Sequence, residues 1–319
     1  MAIGTGSFDT PSKREVSGPL GWLSRQPPGR MLVLPALIYA IIVTQGPFIL
    51  TLWYSLQQYN LNRPDRTGFV GLDNYRFIFE RDAAFWESLA NTVIFVVAAV
   101  MLSLLLGLLF AELVNHRFPG RNVVRTLLIT PFLVMPAAAA LTWKNMMLNP
   151  IFGVIGWLTR TLIPGSPSPN WLGTYPEASV VGVIIWRWAP FMMLILLAGM
   201  QSISEEIREA ARVDGASPLQ EFFGITLPNL TRFMTLGGLL GTVYIIQEID
   251  PMYLMTKGGP SNSTTTLPYL VFRRSIEGTD VGRGAALGVI IVILSIGLIT
   301  VLIRFLDRMM RGQYADGHA

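Results

Sequence analysis

The chain has 319 residues, of which 51% are hydrophobic and only 14% are charged. Soluble domains usually carry about 25% charged residues, and the mean hydropathy here is +0.48, so lipid rather than water is the expected surroundings. The net charge of +4 is scattered, which excludes a clustered basic surface for nucleic acid. Without cysteine and with only two histidines, the chain has no thiolate metal site or cysteine nucleophile, and no metal or catalytic site is predicted.

Taken in chain order, the sequence contains six apolar stretches long enough to cross a membrane. A spanning helix needs about 20 mainly apolar residues, because the hydrocarbon core is about 30 Å thick. The predicted spans are Met31 to Leu56, Leu89 to Val114, Val124 to Met147, Ala178 to Met200, Phe233 to Met255, and Gly284 to Leu306. We therefore predict an all-α polytopic membrane protein with about six transmembrane helices.

The spans divide the chain into three parts, and arginine and lysine predict their sidedness. Residues 1–30 form an N-terminal segment, residues 31–306 the transmembrane domain, and residues 307–319 a tail. Short cytoplasmic loops carry an excess of basic residues. The loop after the second span holds Arg117 and Arg121 without an acid, and the tail holds Arg308 and Arg311. Both termini are therefore predicted to be cytoplasmic.

The loop between the fourth and fifth spans, residues 201–232, predicts two short helices joined by a sharp turn. Ser202 followed by Glu205 is typical of a capping box for the first helix. Gly215 can adopt a positive φ and end that helix. Ser217, with a proline after it and Gln220 three residues on, predicts the start of the second.

Apolar residues of this loop need a partner to bury them. Acids outnumber bases in the loop, so a negatively charged lipid surface is disfavoured and a protein partner is favoured over an interfacial helix. The apolar residues concerned are Ala210, Ala211, Val213, Leu219, Phe222, Phe223 and Ile225.

The loop resembles the EAA loop of bacterial ABC-importer permeases. The family pattern E-A-A-x3-G-x9-I-x-L-P is met at every fixed position, by Glu209, Ala210, Ala211, Gly215, Ile225, Leu227 and Pro228. The segments Phe69–Tyr75 and Thr256–Pro260 are similar to the carbohydrate-uptake subfamily, of the maltose and glycerol-phosphate type and nearer the larger of its two paired subunits. The resemblance implies the type I ABC-importer permease fold, with these loop residues and Asp214 docking on an ATPase subunit.

Polar and aromatic side chains within the fourth and fifth spans are candidates for the solute pathway. Intramembrane ionisable residues usually have a functional reason. The fourth span offers Trp186, Arg187, Trp188 and Phe191, and the fifth offers Tyr244, Gln247 and Glu248 on one predicted helix face. The alternative is that Arg187 and Glu248 only neutralise each other or pair with a second subunit.

The resemblance implies an ATP-driven importer for a sugar, polyol or sugar derivative in the bacterial cytoplasmic membrane. Its expected partners are ATPase subunits, a second related permease, an extracytoplasmic solute-binding protein and membrane lipid. The sequence has no G-x-x-x-x-G-K-[ST] loop, so ATP and magnesium are expected on the partner ATPase, with no cofactor on this chain. A non-carbohydrate cargo, a self-contained secondary transporter and a scaffold without transport are the alternatives.

Overall fold

The computed structural model describes residues 28–163 and 169–315, and these residues are almost entirely helical. Short π-helical turns follow several of the helices, and a two-stranded antiparallel ribbon pairs Gln57–Gln58 with Gly68–Phe69. In chain order the helices are α1 (Pro28–Ser55), α2 (Asp73–Arg81), α3 (Ala83–Asn115), α4 (Arg121–Leu133), α5 (Pro136–Thr142), α6 (Val154–Leu162), α7 (Trp171–Thr174), α8 (Pro176–Gln201), α9 (Glu205–Val213), α10 (Pro218–Glu221), α11 (Leu227–Ile245), α12 (Leu267–Phe272) and α13 (Val281–Ala315).

The chain divides into two compact units, residues 1–51 and residues 52–319. In the described part of the first unit, residues 28–51 belong to α1. The second unit contains the remaining elements. Most of the predicted N-terminal segment lies outside the described residues. Helix α13 continues to Ala315 without a break at the predicted start of the tail.

Four of the predicted spans are continuous apolar helices. Within the described residues, the segments long and apolar enough to cross a membrane are Val33–Ser55, Ala83–Asn115, Pro176–Gln201 and Val281–Val301. They correspond to the first, second, fourth and sixth predicted spans. Helix α8 is the most buried of these segments, and it packs extensively against α3.

The predicted third span is not one helix, which corrects the expectation of a continuous segment. Helices α4 and α5 meet at an angle of 100°. Val134 and Met135 between them are extended, with ψ near 130°. The residue before a proline is sterically disfavoured in the helical region, so Pro136 accounts for the extended Met135. Together the two helices amount to one broken span or a re-entrant loop.

The predicted fifth span is also interrupted. Helix α11 has 19 residues and ends at Ile245. Unlike the four continuous spans, it is not apolar enough to be assigned as a transmembrane span from its length and composition. A turn at residues 246–249 separates it from the π-helical turn Met252–Thr256. Gln247 and Glu248 therefore lie in a turn, and not on a helix face shared with Tyr244.

The core of the second unit lies where α3, α8 and the segment from α11 to α12 meet. Its buried residues include Phe95, Ile184, Trp188, Ile245 and Tyr269. Gly107 of α3 allows the closest approach to α8, since a Cβ there would lie 2.5 Å from Met192 Cβ and 2.8 Å from the Met193 backbone nitrogen. Helices α3 and α8, which meet at this contact, form the frame that carries both candidate functional regions.

Candidate coupling surface and intramembrane aromatic cluster

The loop between α8 and α11 folds as the predicted helical hairpin, with one change at its start. Ser204, and not Ser202, caps α9, because its side chain accepts a hydrogen bond from the backbone N–H of Glu206. The hydroxyl of Ser202 instead donates to the carbonyl of Gly199. Helix α10 begins as predicted, with a reciprocal capping box between Ser217 and Gln220.

The turn of the hairpin depends on Gly215. Its φ is +85°, in the left-handed region that favours glycine. Its N–H donates to the carbonyl of Arg212, and the N–H of Ala216 donates to that of Ala211, so the carbonyls at the end of α9 are satisfied as in a helix-terminating glycine motif. The predicted positive φ at Gly215 is confirmed.

Three arginines brace the hairpin. Arg212 pairs with Glu221 at 3.2 Å across the turn, and this hydrogen bond raises the pKa of the Arg212 guanidinium. Arg208 donates to the carbonyl of Met200 at 3.1 Å, and Arg232 donates to the Ser202 hydroxyl at 3.3 Å. Helix α9 is thus tied both to α10 and to the end of α8.

The hairpin presents an apolar surface that is unburied within this chain. Val213 is 87% exposed and Leu219 is 70% exposed, and Ile207 and Phe223 are exposed as well; these four residues are called the coupling surface below. Of the residues matching the EAA pattern, Glu209, Ala210, Asp214 and Gly215 are exposed, whereas Ala211, Ile225, Leu227 and Pro228 are half-buried.

Aromatic side chains from the spans meet around Trp188, and this set is called the aromatic cluster. Trp188 stacks on Tyr244 with ring centroids 5.7 Å apart and meets the edge of Phe191 at 5.4 Å. Phe132, at the end of α4, contacts both Trp188 and Phe191. Phe132 is a member of the cluster that was not predicted from the sequence. It lies four residues before Pro136, where the third span breaks, and this position is the only sequence signal for it.

The two predicted intramembrane charges pair with each other. Arg187 Nη1 lies 2.7 Å from Glu248 Oε1, and their side chains are 7% and 8% exposed. The indole N–H of Trp188 donates to the same carboxylate oxygen at 3.1 Å. The Nε of Arg187 is buried without a hydrogen-bond partner among the described residues. The pair therefore joins α8 to the turn after α11.

Two predicted pathway residues lie apart from this cluster. The ring of Trp186 packs against Trp143, with centroids 5.5 Å apart. Gln247 is exposed, and its side-chain amide donates to the carbonyl of Val243. The structure thus brings together Arg187, Trp188, Phe191, Tyr244 and Glu248. Within the described residues, no group of three or more potential metal ligands is present.

Comparison with known proteins identifies relatives over most of the chain. The profile of the family described as "binding-protein-dependent transport system inner membrane component" matches residues 103–312. The trehalose/maltose transport system permease protein of Thermococcus litoralis is 36% identical over 279 residues, which are 86% of this chain and 92% of the relative. The sn-glycerol-3-phosphate transport system permease protein of Yersinia pestis is 33% identical over 289 residues, 89% of this chain and 95% of the relative.

A solved structure shares the fold. The crystal structure of a bacterial alginate ABC transporter, in complex with its alginate pentasaccharide-bound periplasmic protein, contains a chain that superposes with a TM-score of 0.74. The match covers 91% of this chain and 95% of that one, at 20% sequence identity. The chain therefore belongs to the family of binding-protein-dependent transport system inner membrane components, and it is an ABC-importer permease of the type I fold.

Proposed function

We propose that this chain is one of two permease subunits of an importer that carries a sugar, polyol or sugar derivative. ATP and Mg²⁺ bind to separate ATPase subunits, and a solute-binding protein delivers the cargo from outside. Relatives named for trehalose/maltose, sn-glycerol-3-phosphate and sulfoquinovosyl glycerol transport support the carbohydrate class. The chain itself contributes the pathway and the coupling hairpin, with no catalytic residue.

The exposed coupling surface is the observation that carries this proposal. The hairpin is capped at the start of both helices, and Arg208 and Arg212 hold it in place. It keeps the side chains of Val213 and Leu219 exposed to solvent. Burying each such side chain would contribute about 1.5–3 kcal/mol of favourable free energy, which is absent while the side chain stays in water. An ATPase subunit with a matching apolar groove would bury them, as the match to the EAA pattern implies. ATP-driven movement of that subunit would then pass through α9 to the end of α8.

The aromatic cluster supports carriage of a carbohydrate. Aromatic faces stack on the apolar faces of sugar rings, and Tyr244, which is 54% exposed, continues the stack that begins at the buried Trp188. Arg187 and Glu248 lie beside Trp188, since the Trp188 indole N–H donates to the Glu248 carboxylate that pairs with Arg187, and both stay candidates for contact with cargo hydroxyls. Trp186 and Gln247 remain pathway candidates at positions outside the cluster.

The sidedness of the chain follows from the docking partner. ATPase subunits work where ATP is, so the hairpin lies on the cytoplasmic side of the bacterial inner membrane. The basic connection holding Arg117 and Arg121 lies on the same side by the excess of basic residues in cytoplasmic loops. If the broken pair α4–α5 and the interrupted fifth span each count as one crossing, the chain crosses the membrane six times, and both termini are expected in the cytoplasm.

The test is to purify the tagged chain from its native membrane with and without a change at the coupling surface. Val213→Asp should reduce the recovered ATPase subunit by about tenfold or more, because truncating or charging an interface anchor costs about 2 kcal/mol. Ile276→Asp is the matched control, since Ile276 is also exposed but lies in the turn Arg273–Glu277. Equal recovery from both variants would contradict docking at this surface.

Transport assays then test the cargo and the energy source. Liposomes holding the recovered complex and its solute-binding protein should take up a sugar or polyol only with ATP. Uptake of an amino acid or peptide would replace the carbohydrate assignment. Solute movement by the chain alone, without ATP, would favour a secondary transporter.

A further inference from the structure

The connection between α3 and α4 borders an open surface cavity of about 420 Å³ with a cationic lining. Its volume falls within the range of small-ligand sites. It is lined by Arg117, Phe118, Gly120, Arg121, Asn122 and Val123. The lining therefore contains two arginines and no acid.

None of the three arginines at this corner forms an ion pair within the described residues. Arg117 is exposed and has no ion pair there, and Arg125, one helical turn beyond Arg121, has none either. Arg121 uses its Nε to donate to the carbonyl of Val114, which is not an acid. The nearby carboxylate of Glu112 is held by His116 at 3.1 Å. The first turn of α4 also lacks an acid, so the helix end adds to the positive potential.

An exposed apolar strip begins directly beside this charge. Val123 and Leu127, spaced i and i+4 on α4, are 63% and 65% exposed. Leu113 near the end of α3 is exposed as well. Val123 lines the cavity together with Arg117 and Arg121. Residues two positions apart point to different sides of a helix, so the strip runs from the cavity along a face of α4 other than the one that carries Arg121 and Arg125. A cationic rim that meets an aliphatic strip is the profile of a headgroup and acyl-chain boundary.

We propose that this corner binds the phosphate of an anionic phospholipid headgroup. Arg117 and Arg121, which line the cavity, supply the charge, the cavity holds the headgroup, and the acyl chains lie along Val123 and Leu127. A free phosphate ion would satisfy the arginines but would leave the aliphatic strip uncovered, so the lipid is the better match. Arg117 and Arg121 also line a larger cavity of about 920 Å³, which contains Glu112, Glu205 and Glu221 and extends to Arg208 and Arg212 of the coupling hairpin. The bound lipid therefore lies beside the region that transmits force.

The experiment is a lipid titration of the purified full chain in detergent, read by native mass spectrometry. Phosphatidylglycerol and phosphatidylcholine with the same acyl chains are the probes. The test variant is Arg117→Gln with Arg121→Gln, which removes both arginines that line the cavity. The control is Arg63→Gln with Arg66→Gln, since both of these arginines are exposed and lie in the connection between the two ribbon strands.

The wild-type chain should bind phosphatidylglycerol more tightly than phosphatidylcholine. The test variant should weaken phosphatidylglycerol binding by about 25- to 30-fold, from about one kcal/mol per basic residue, and leave phosphatidylcholine binding unchanged. Thermal unfolding of each lipid-free variant checks that folding is retained. If the double variant is misfolded, Arg117→Gln alone, at an exposed position, should still weaken binding about fivefold.

Three results would overturn the proposal. The first is equal affinity of the wild-type chain for the two lipids. The second is an equal loss in the control variant, which would show that only total charge matters. The third is displacement of bound phosphatidylglycerol by excess inorganic phosphate, which would show that the site takes a free anion and not a lipid.

Discussion

Arg187 of α8 and Glu248 of the turn after α11 form a 2.7 Å ion pair with both side chains less than one-tenth exposed. The two residues are 61 positions apart in the sequence. It forms because α11 ends at Ile245 and Trp188 fixes the carboxylate with its indole N–H. A buried pair of this kind is costly to break from one side, because the remaining charge is left without compensation.

Glu248→Gln should therefore lower the free energy of unfolding by about 3–5 kcal/mol. The amide oxygen of the new glutamine can still accept the hydrogen bond from the Trp188 indole N–H, but the charge of Arg187 is left unpaired. The double variant Arg187→Met with Glu248→Gln removes both charges and should recover most of the loss. Thermal unfolding of the three proteins in detergent measures this, and wild-type stability of the single variant would contradict it. Normal transport by the double variant would remove both residues from the proposed pathway.

The turn of the coupling hairpin gives a second test. Gly215→Val places a β-branched side chain at φ +85°, which costs more than 1 kcal/mol and disfavours the native turn. Membrane insertion should be unaffected, while ATP-driven uptake should be lost because α9 and α10 no longer present one surface. Gly224→Ala is the matched control. Gly224 lies in the same hairpin, has no positive φ, and has open space around its Cβ position. Uptake at the wild-type rate by Gly215→Val would exclude the docking role.

The parts of the structure that follow from local chemistry were predictable from the sequence. The capping box at Ser217 and the positive φ at Gly215 depend only on neighbouring residues, and both were predicted. The cap at Ser204 was misplaced by two residues, because Ser202 has Glu205 at the capping-box spacing of three residues, whereas Ser204 has Ile207 there. The stacking of Trp188 on Tyr244 and the contact with Phe132 depend on where α4 and α11 end. Those ends are set by tertiary packing and by Pro136, which a count of apolar residues does not capture.

The aromatic cluster gives a third test, because its most exposed member, Tyr244, stacks on one ring of the cluster, that of Trp188. Tyr244→Ala should reduce uptake about tenfold, while the lost stacking should lower stability by only about 0.5–1.5 kcal/mol. Tyr175→Ala is the control. Tyr175 is 52% exposed and stands at the start of α8, away from the cluster. Uptake by each variant is measured in liposomes with the intact complex. An equal loss in both variants would show that Tyr244 has no special role in the pathway.

The approach of α3 to α8 at Gly107 gives the last test. An added Cβ there would lie 2.5 Å from Met192 Cβ and 2.8 Å from the Met193 nitrogen. Because the contacts include backbone of α8, no side-chain rotation relieves them and the helices must separate. Gly107→Ala should therefore destabilise the protein by about 1–3 kcal/mol, as overpacking does. Gly182→Ala, on α8 with open space at its Cβ position, should raise stability slightly, because alanine is the better helix former. Thermal unfolding of the two variants separates these effects, and a stable Gly107→Ala protein would mean that the two helices are not held at this distance in the membrane.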